Sequence, residues 1–175
     1  MRVMVVDDSV VFRSQLKNCL DGVDGVSVVA TAANGKIALD RLEREVCDLI
    51  ILDLEMPEMN GLQLLTELRK RKFPQRVIVF AAPTKEGAGQ VLDALNAGAI
   101  DFIAKPTTAL SLELALEGIK KELLPKILQF KKHHETKNHT KLAPQEAIKV
   151  GVAGDSVSTE QRRPYQTILL ENFKP

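Results

Sequence analysis

Along the first three quarters of the chain, short runs of β-branched and other apolar residues alternate with longer stretches in which apolar side chains recur every three or four positions. Runs of the first kind occupy 2–6, 26–32, 48–53, 76–81 and 101–104, and their near-continuous apolar character predicts strands buried on both faces. Between them Phe12, Leu16 and Leu20 share one helical face, residues 37–46 and 62–68 keep the same spacing, and so do Val91, Leu92 and Leu95. The punctuation agrees with this division. Ser9 can cap the first helix, Gly61 opens the third, Gly98 ends the fourth, and Pro57 with Asn60-Gly61 marks the loop after the third strand. Five strand–helix units in succession predict an α/β fold, a parallel sheet with helices on both faces, over about residues 1–128.

The fifth helix should begin near Thr108 and turn Leu112, Leu116, Ile119 and Leu123 inward, and Pro125, which lacks a backbone donor, should kink or stop it. Residues 131–141, KKHHETKNHTK, are basic, polar and without apolar period, so a linker is expected over 129–146. Within a short tail at 147–175, the run AIKVGVA at 147–153 reads as one more strand, a remnant or the start of an effector domain. So few residues cannot build a core of their own.

A length of 175 residues with 45% hydrophobic composition suits one domain with a real core plus an appendage. The 24 basic and 23 acidic residues leave a formal charge of +1, which supplies no global field toward nucleic acid or an anionic membrane, so neither partner is expected. No run of about eighteen apolar residues occurs, and the first residues enter a strand instead of a basic and then apolar leader, so a cytoplasmic protein is expected. Cys19 and Cys47 lie in apolar stretches and read as small buried hydrophobes, unpaired in a reducing compartment.

Chemistry concentrates at the strand ends. Asp7 and Asp8 close the first strand, Asp53 the third, and a Lys105-Pro106 step the fifth. In an open parallel sheet the carboxyl ends of the strands converge on a crevice where the strand order reverses. Carboxylates gathered there repel by roughly 4 kcal/mol per pair at about 4 Å and an effective dielectric of about 20. A divalent cation relieves that repulsion. Asp7 and Asp8 also have a plainer role open to them, at the positive end of the first helix. That role does not account for Asp53 and Lys105, each of which ends its own strand at the same edge.

The segments VVDDS at 5–9, LDLEMPEMNG at 52–61 and GAIDFIAKP at 98–106 together resemble the receiver domain of bacterial response regulators, over about residues 1–128. VDDS, the LDLEMP-x-MNG run and TKEG after the fourth strand look most like the regulatory domain of chemotaxis protein-glutamate methylesterases, without the catalytic domain. The resemblance implies a flavodoxin-like, doubly wound five-stranded sheet of order 2-1-3-4-5. It implies a two-component phosphorelay in which Asp53 accepts a phosphoryl group from a histidine kinase. Mg²⁺ would be bound directly by Asp8 and Asp53, through water by Asp7, and by the backbone carbonyl of Glu55. Lys105 would contact the phosphoryl oxygens, and Pro106 matches a position where the family commonly has a cis peptide. A downstream protein partner would dock on the face of the fourth helix, fifth strand and fifth helix, beginning with Lys85, Glu86, Gln90 and Asp93. A homodimer could use the same face.

One position departs from the resembled pattern. The family ends its fourth strand in a serine or threonine whose hydroxyl bonds the phosphoryl oxygen, whereas here Ala81 stands there, Ala82 and Pro83 follow, and the first hydroxyl is Thr84. A hydrogen bond to a charged group contributes about 1.5–3 kcal/mol, so its loss implies weakened or rerouted conformational output. Phe102 matches the aromatic switch position, and core packing explains it equally well.

Two other functions compete with the receiver. An Mg²⁺-dependent, aspartate-nucleophile phosphatase of the haloacid dehalogenase type would share the acidic crevice, but it needs Asp-x-Asp where this chain has adjacent aspartates. A non-phosphorylated interaction domain is encouraged by Ala81. The run Gly154-Asp155-Ser156 looks loosely like a nucleophile elbow, yet the second glycine is absent and no later aspartate and histidine complete a triad. The chain is therefore read as a phosphoacceptor with self-dephosphorylation and not as an esterase. His133, His134 and His139 read as part of a solvated basic linker instead of a metal cluster. Asn34-Gly35 and the glycines at 87 and 89 read as turn and helix-entry residues.

Overall fold

Five parallel strands form one sheet: β1 (Arg2–Val6), β2 (Ser27–Ala32), β3 (Leu49–Asp53), β4 (Arg76–Ala81) and β5 (Asp101–Ala104), in the order β2-β1-β3-β4-β5. The computed structural model describes residues 1–105 and 112–140, with 112–116 and 133–140 as backbone only. Helices α1 (Val10–Asp21), α2 (Gly35–Leu42), α3 (Gly61–Lys70) and α4 (Lys85–Asn96) join successive strands, and α5 (Leu112–Thr140) follows β5. This is the flavodoxin-like order implied by the resemblance.

The two faces of the sheet separate by the two-residue period of a strand. Val3 and Val5 of β1, Leu49 and Ile51 of β3, Ile78 and Phe80 of β4 and Ile103 of β5 pack with Leu16 and Leu20 of α1 and Ile119, Leu123 and Ile127 of α5. Met4, Val6, Ile50, Leu52, Val77 and Val79 pack on the opposite face with Leu39, Leu42, Leu64, Leu65, Leu68 and Val91 of α2, α3 and α4. Both faces are covered, which is why the strands lack polar alternation. The chain leaves β1 toward β2 and returns past β1 to β3, and right-handed crossovers in opposite directions put α1 and α2 on opposite faces. The reversal lies between the carboxyl ends of β1 and β3, where the acidic residues are.

Ser9, Asn34, Asn60 and Thr84 cap α1, α2, α3 and α4 through their side chains, and Asn60 forms a reciprocal capping box with Gln63. Gly98 ends α4 at φ +102°, with the amide of Ala99 returning to the carbonyl of Ala94 at 2.8 Å. Cys19 and Cys47 are both free thiols, and burial pushes the Cys47 thiol up to about 12. Among the described residues no helix is long and apolar enough to cross a membrane.

Three expectations need correction. Helix α2 ends at Leu42, short of 46, and Val46 beyond it is exposed. Ile37 and Leu92, read as members of helical stripes, are exposed at 39% and 45%, while Ala38, Val91 and Ala94 take the buried positions. The third concerns α5, which does not stop at Pro125 and remains helical to Thr140 across residues expected to form an irregular linker. Contacts to the sheet and to the loop before β2 hold the helix beyond the proline as far as Lys131. Ile127 is fully buried, Arg76 lies 5.3 Å from the ring centroid of Phe130, Lys126 pairs with Asp101 at 2.6 Å, and Lys131 donates to the Asp24 carbonyl at 3.0 Å. They offset the one backbone donor that proline removes. Ile119 and Leu123 are buried as expected. Leu112 and Leu116, the helix start near Thr108, the strand at 147–153 and the residues at 154–158 lie outside the described side chains or residues.

Because Ile127 is buried two residues beyond the proline, Ile127→Ala should lower the free energy of unfolding by about 2–5 kcal/mol in urea titration. A loss below about 0.5 kcal/mol, the size of an ordinary surface substitution, would place this part of α5 outside the core.

Candidate functional site

Parallel pairing of β1 with β3 sets Val6 opposite Leu52, so Asp7 and Asp53 emerge as neighbours at the carboxyl end of the sheet. Lys105 follows β5, and its amide donates to the carbonyl of Ala81 at 2.7 Å. From there its side chain reaches past the end of β4, where Ala81 carries only a methyl group. The ammonium lies 2.6 Å from Oδ2 of Asp53 and 3.3 Å from Oδ2 of Asp7. The remaining oxygens are also engaged: Asp7 Oδ1 accepts from the amide of Ser9 at 2.8 Å, and Asp53 Oδ1 from the amide of Glu55 at 3.2 Å. Asp7 and Asp53 are buried, and Asp8 is exposed.

Asp7, Asp8 and Asp53 each offer a carboxylate oxygen, and these oxygens lie within 4.8 Å of one another. Hard oxygen donors, one of them open to solvent, fit a divalent cation such as Mg²⁺ that keeps several waters.

The charge balance is strained. Burial raises the pKa of Asp53 to about 6 despite the hydrogen bond and charge of Lys105, and the charge of Asp7 adds to the rise while the Glu55 amide opposes it. Burial also works against the Lys105 ammonium. The hydrogen bond and charge of Asp53, together with Asp7, outweigh burial and raise the Lys105 pKa. One cation shared by two buried carboxylates stays charged itself but does not satisfy both anions.

Of the residues picked out in the sequence, Asp7, Asp8, Asp53 and Lys105 come together, and Glu55 adjoins them through its amide. Ala81 is buried at the end of β4. Phe102 is buried in the core on the face of α2, α3 and α4. Pro106 lies outside the described residues. Thr84, the first hydroxyl after β4, accepts from the amide of Gly87 at 3.0 Å as the cap of α4.

Other residues at the site carry no distinctive sequence signal. The face of Phe12 lies 5.6 Å from the Lys105 ammonium, while its ring also packs edge-on against Phe80. A cation over an aromatic face is attracted by the ring quadrupole. Arg13 donates to the backbone carbonyl of Asp7. Helical spacing alone could read Phe12 only as a core residue. Asn34 and Glu58 join two loops beside the site through a hydrogen bond of 3.1 Å.

A sequence profile described as the response regulator receiver domain matches residues 3–117. The chain is 46% identical over 129 residues to a protein-glutamate methylesterase/protein-glutamine glutaminase of Trichodesmium erythraeum (strain IMS101), covering 74% of this chain and 37% of that relative. The chain thus spans little more than a third of the relative's length. Among solved structures it is similar to the response regulator domain of Thermotoga maritima CheB, with a TM-score of 0.65 and 40% identity, covering 74% of this chain and 94% of that one. It is also similar to a chain in the CheX-CheY-BeF3-Mg²⁺ complex of Borrelia burgdorferi, with a TM-score of 0.55 and 29% identity over 71% of this chain and 90% of that one.

The raised Asp53 pKa has a defined sign. Between its ordinary value of 3.8 and about 6 the folded, metal-free protein holds a proton that the unfolded chain has released, so this group's contribution to stability declines as pH rises through that window. In EDTA, a carbon-13 titration of the Asp53 carboxyl should have its midpoint near 6, and divalent-cation affinity should weaken as pH falls through the same value. A midpoint at or below about 4, the ordinary carboxylate range, would overturn the dominance of burial.

Proposed function

Because the chain belongs to the response regulator receiver domain family, we propose that it is the phosphorylatable switch of a two-component phosphorelay, with Asp53 accepting a phosphoryl group from a partner histidine kinase. The observation that carries this reading is the Lys105 ammonium held at once by Asp53 and Asp7, beside a third carboxylate within 4.8 Å. Asp53 is the nucleophile, and the product is a mixed anhydride whose hydrolysis resets the protein. Asp8 and Asp53 would hold Mg²⁺ directly, Asp7 through water, with the backbone carbonyl of Glu55 as a further ligand. Mg²⁺ supplies charge neutralisation between an anionic donor and an anionic nucleophile. Lys105 already lies against Asp53 and offers its ammonium to the phosphoryl oxygens.

Similarity to the methylesterase relatives supports a place in chemotaxis signalling, and we place the protein in the cytoplasm. Its output face is α4, β5 and α5, where Lys85, Glu86 and Asp93 are exposed and Leu92 adds an exposed apolar side chain suited to protein contact. Coupling to that face is weak in this chain. Ala81 has no hydroxyl to bond a phosphoryl oxygen, and Thr84, the first hydroxyl after it, is held at the start of α4 by accepting from the amide of Gly87. The receiver therefore accepts the phosphoryl group with a muted movement of the loop after β4.

Incubation with acetyl phosphate and Mg²⁺ should add a single phosphoryl group per chain by intact mass, and the label should disappear in Asp53→Asn or in EDTA. Sustained turnover of a phosphate ester would favour a phosphatase, and complete absence of labelling would favour an interaction domain. Ala81→Thr restores a hydroxyl that can contribute about 1.5–3 kcal/mol against a charged acceptor. Its beryllofluoride-induced amide shifts over residues 82–87 should exceed those of the wild type, and equal shifts would show that Ala81 does not limit the response.

A further inference from the structure

Asn34 is a buried polar residue that lies outside the acidic cluster. Its Oδ1 accepts from the amide of Ile37 at 2.9 Å, capping α2, which leaves its amide group facing Glu58 Oε1 at 3.1 Å. Glu58 belongs to the loop between Asp53 and α3 and holds a left-handed backbone, φ 63°. L residues adopt that conformation when their surroundings over-determine it. A second tie lies beside the first: the amide of Gly35 donates to the carbonyl of Met59 at 2.9 Å, and a Cβ at Gly35 would come within 2.6 Å of Met59 Cγ. At its other end the same loop is closed by Gly61, whose amide donates to the carbonyl of Leu54 at 3.1 Å and whose missing side chain makes room for the carbonyl of Asp53. Between these two anchors lies Glu55, whose amide holds Asp53 Oδ1.

We infer that Asn34 and Glu58 form a clasp between the β2–α2 and β3–α3 loops that positions Asp53 and the backbone of Glu55, with Asn34 as a positioning residue for the phosphoacceptor site. The inference rests on the reading of Asp53 as phosphoacceptor. Its logic is that of groups that orient metal ligands without touching the metal. Asn34 suits the task because one side chain both accepts from a helix amide and donates to a carboxylate. Aspartate would cap α2 equally well and would face Glu58 with a second negative charge.

That asymmetry provides the test. Asn34→Asp keeps the cap and breaks the clasp, and adding Glu58→Gln restores a donor across the gap. In metal-free protein, hydrogen exchange of amides 54–60 should accelerate in Asn34→Asp and return toward wild type in the double variant. In acetyl phosphate labelling, the half-saturating Mg²⁺ concentration should rise about tenfold in the single variant, the lower end of the range for groups that orient metal ligands, and recover in the double. Unchanged exchange would overturn the clasp whatever the melting temperature, and accelerated exchange with unchanged Mg²⁺ dependence would overturn the positioning role of Asn34. Absence of labelling in the wild type would sink the phosphoacceptor reading instead. The exchange data, taken without metal, decide the clasp separately.

Discussion

The organising constraint is electrostatic: two buried carboxylates, Asp7 and Asp53, share the ammonium of Lys105, and a third carboxylate stands at the mouth of the same crevice. One positive charge cannot balance three negative ones, and burial makes the deficit more costly by removing water. The rise of the Asp53 pKa expresses that cost. The same deficit makes the crevice electrostatically suited to a divalent cation.

Such a cluster can exist only because the sheet pays attention to register at its carboxyl edge. Parallel pairing of β1 with β3 brings residues 46 positions apart in sequence side by side, Asp7 beyond Val6 and Asp53 beyond Leu52. The ladder of β4 and β5 then delivers Lys105 from the far side. Each helix that follows a strand begins at this edge, so the caps Ser9, Asn34, Asn60 and Thr84 surround the crevice. Capping and site geometry are therefore linked. Thr84 accepts from the amide of Gly87 at the start of α4, and Asn34 uses one side chain for both helix and loop.

Much of this was legible in the sequence. The bounds of β1, β4 and β5 match those read from apolar runs, because strands buried on both faces leave an uninterrupted apolar record. Asp7, Asp8, Asp53 and Lys105 could be placed together because parallel strands all end at one edge. The course of α5 beyond Pro125 was not legible, since proline and a basic composition argue against a helix locally, while Ile127 and Phe130 find partners only on the folded sheet. Leu92 shows the converse error. Adjacent apolar residues fit one helical stripe equally well in sequence, and packing admitted Val91 and left Leu92 outside.

By itself the amino-acid order determined the alternation of strands and helices and the acidic and basic residues that end the strands, because periodicity and strand-end chemistry are local properties. Only the tertiary structure decided which oxygen of each aspartate Lys105 holds, that Phe12 lies over that ammonium, and that Asn34 reaches Glu58 across two loops. Those contacts join residues far apart along the chain through distances of a few ångströms. No local pattern encodes such a distance, because it is set by the packing of all five strands and their helices together.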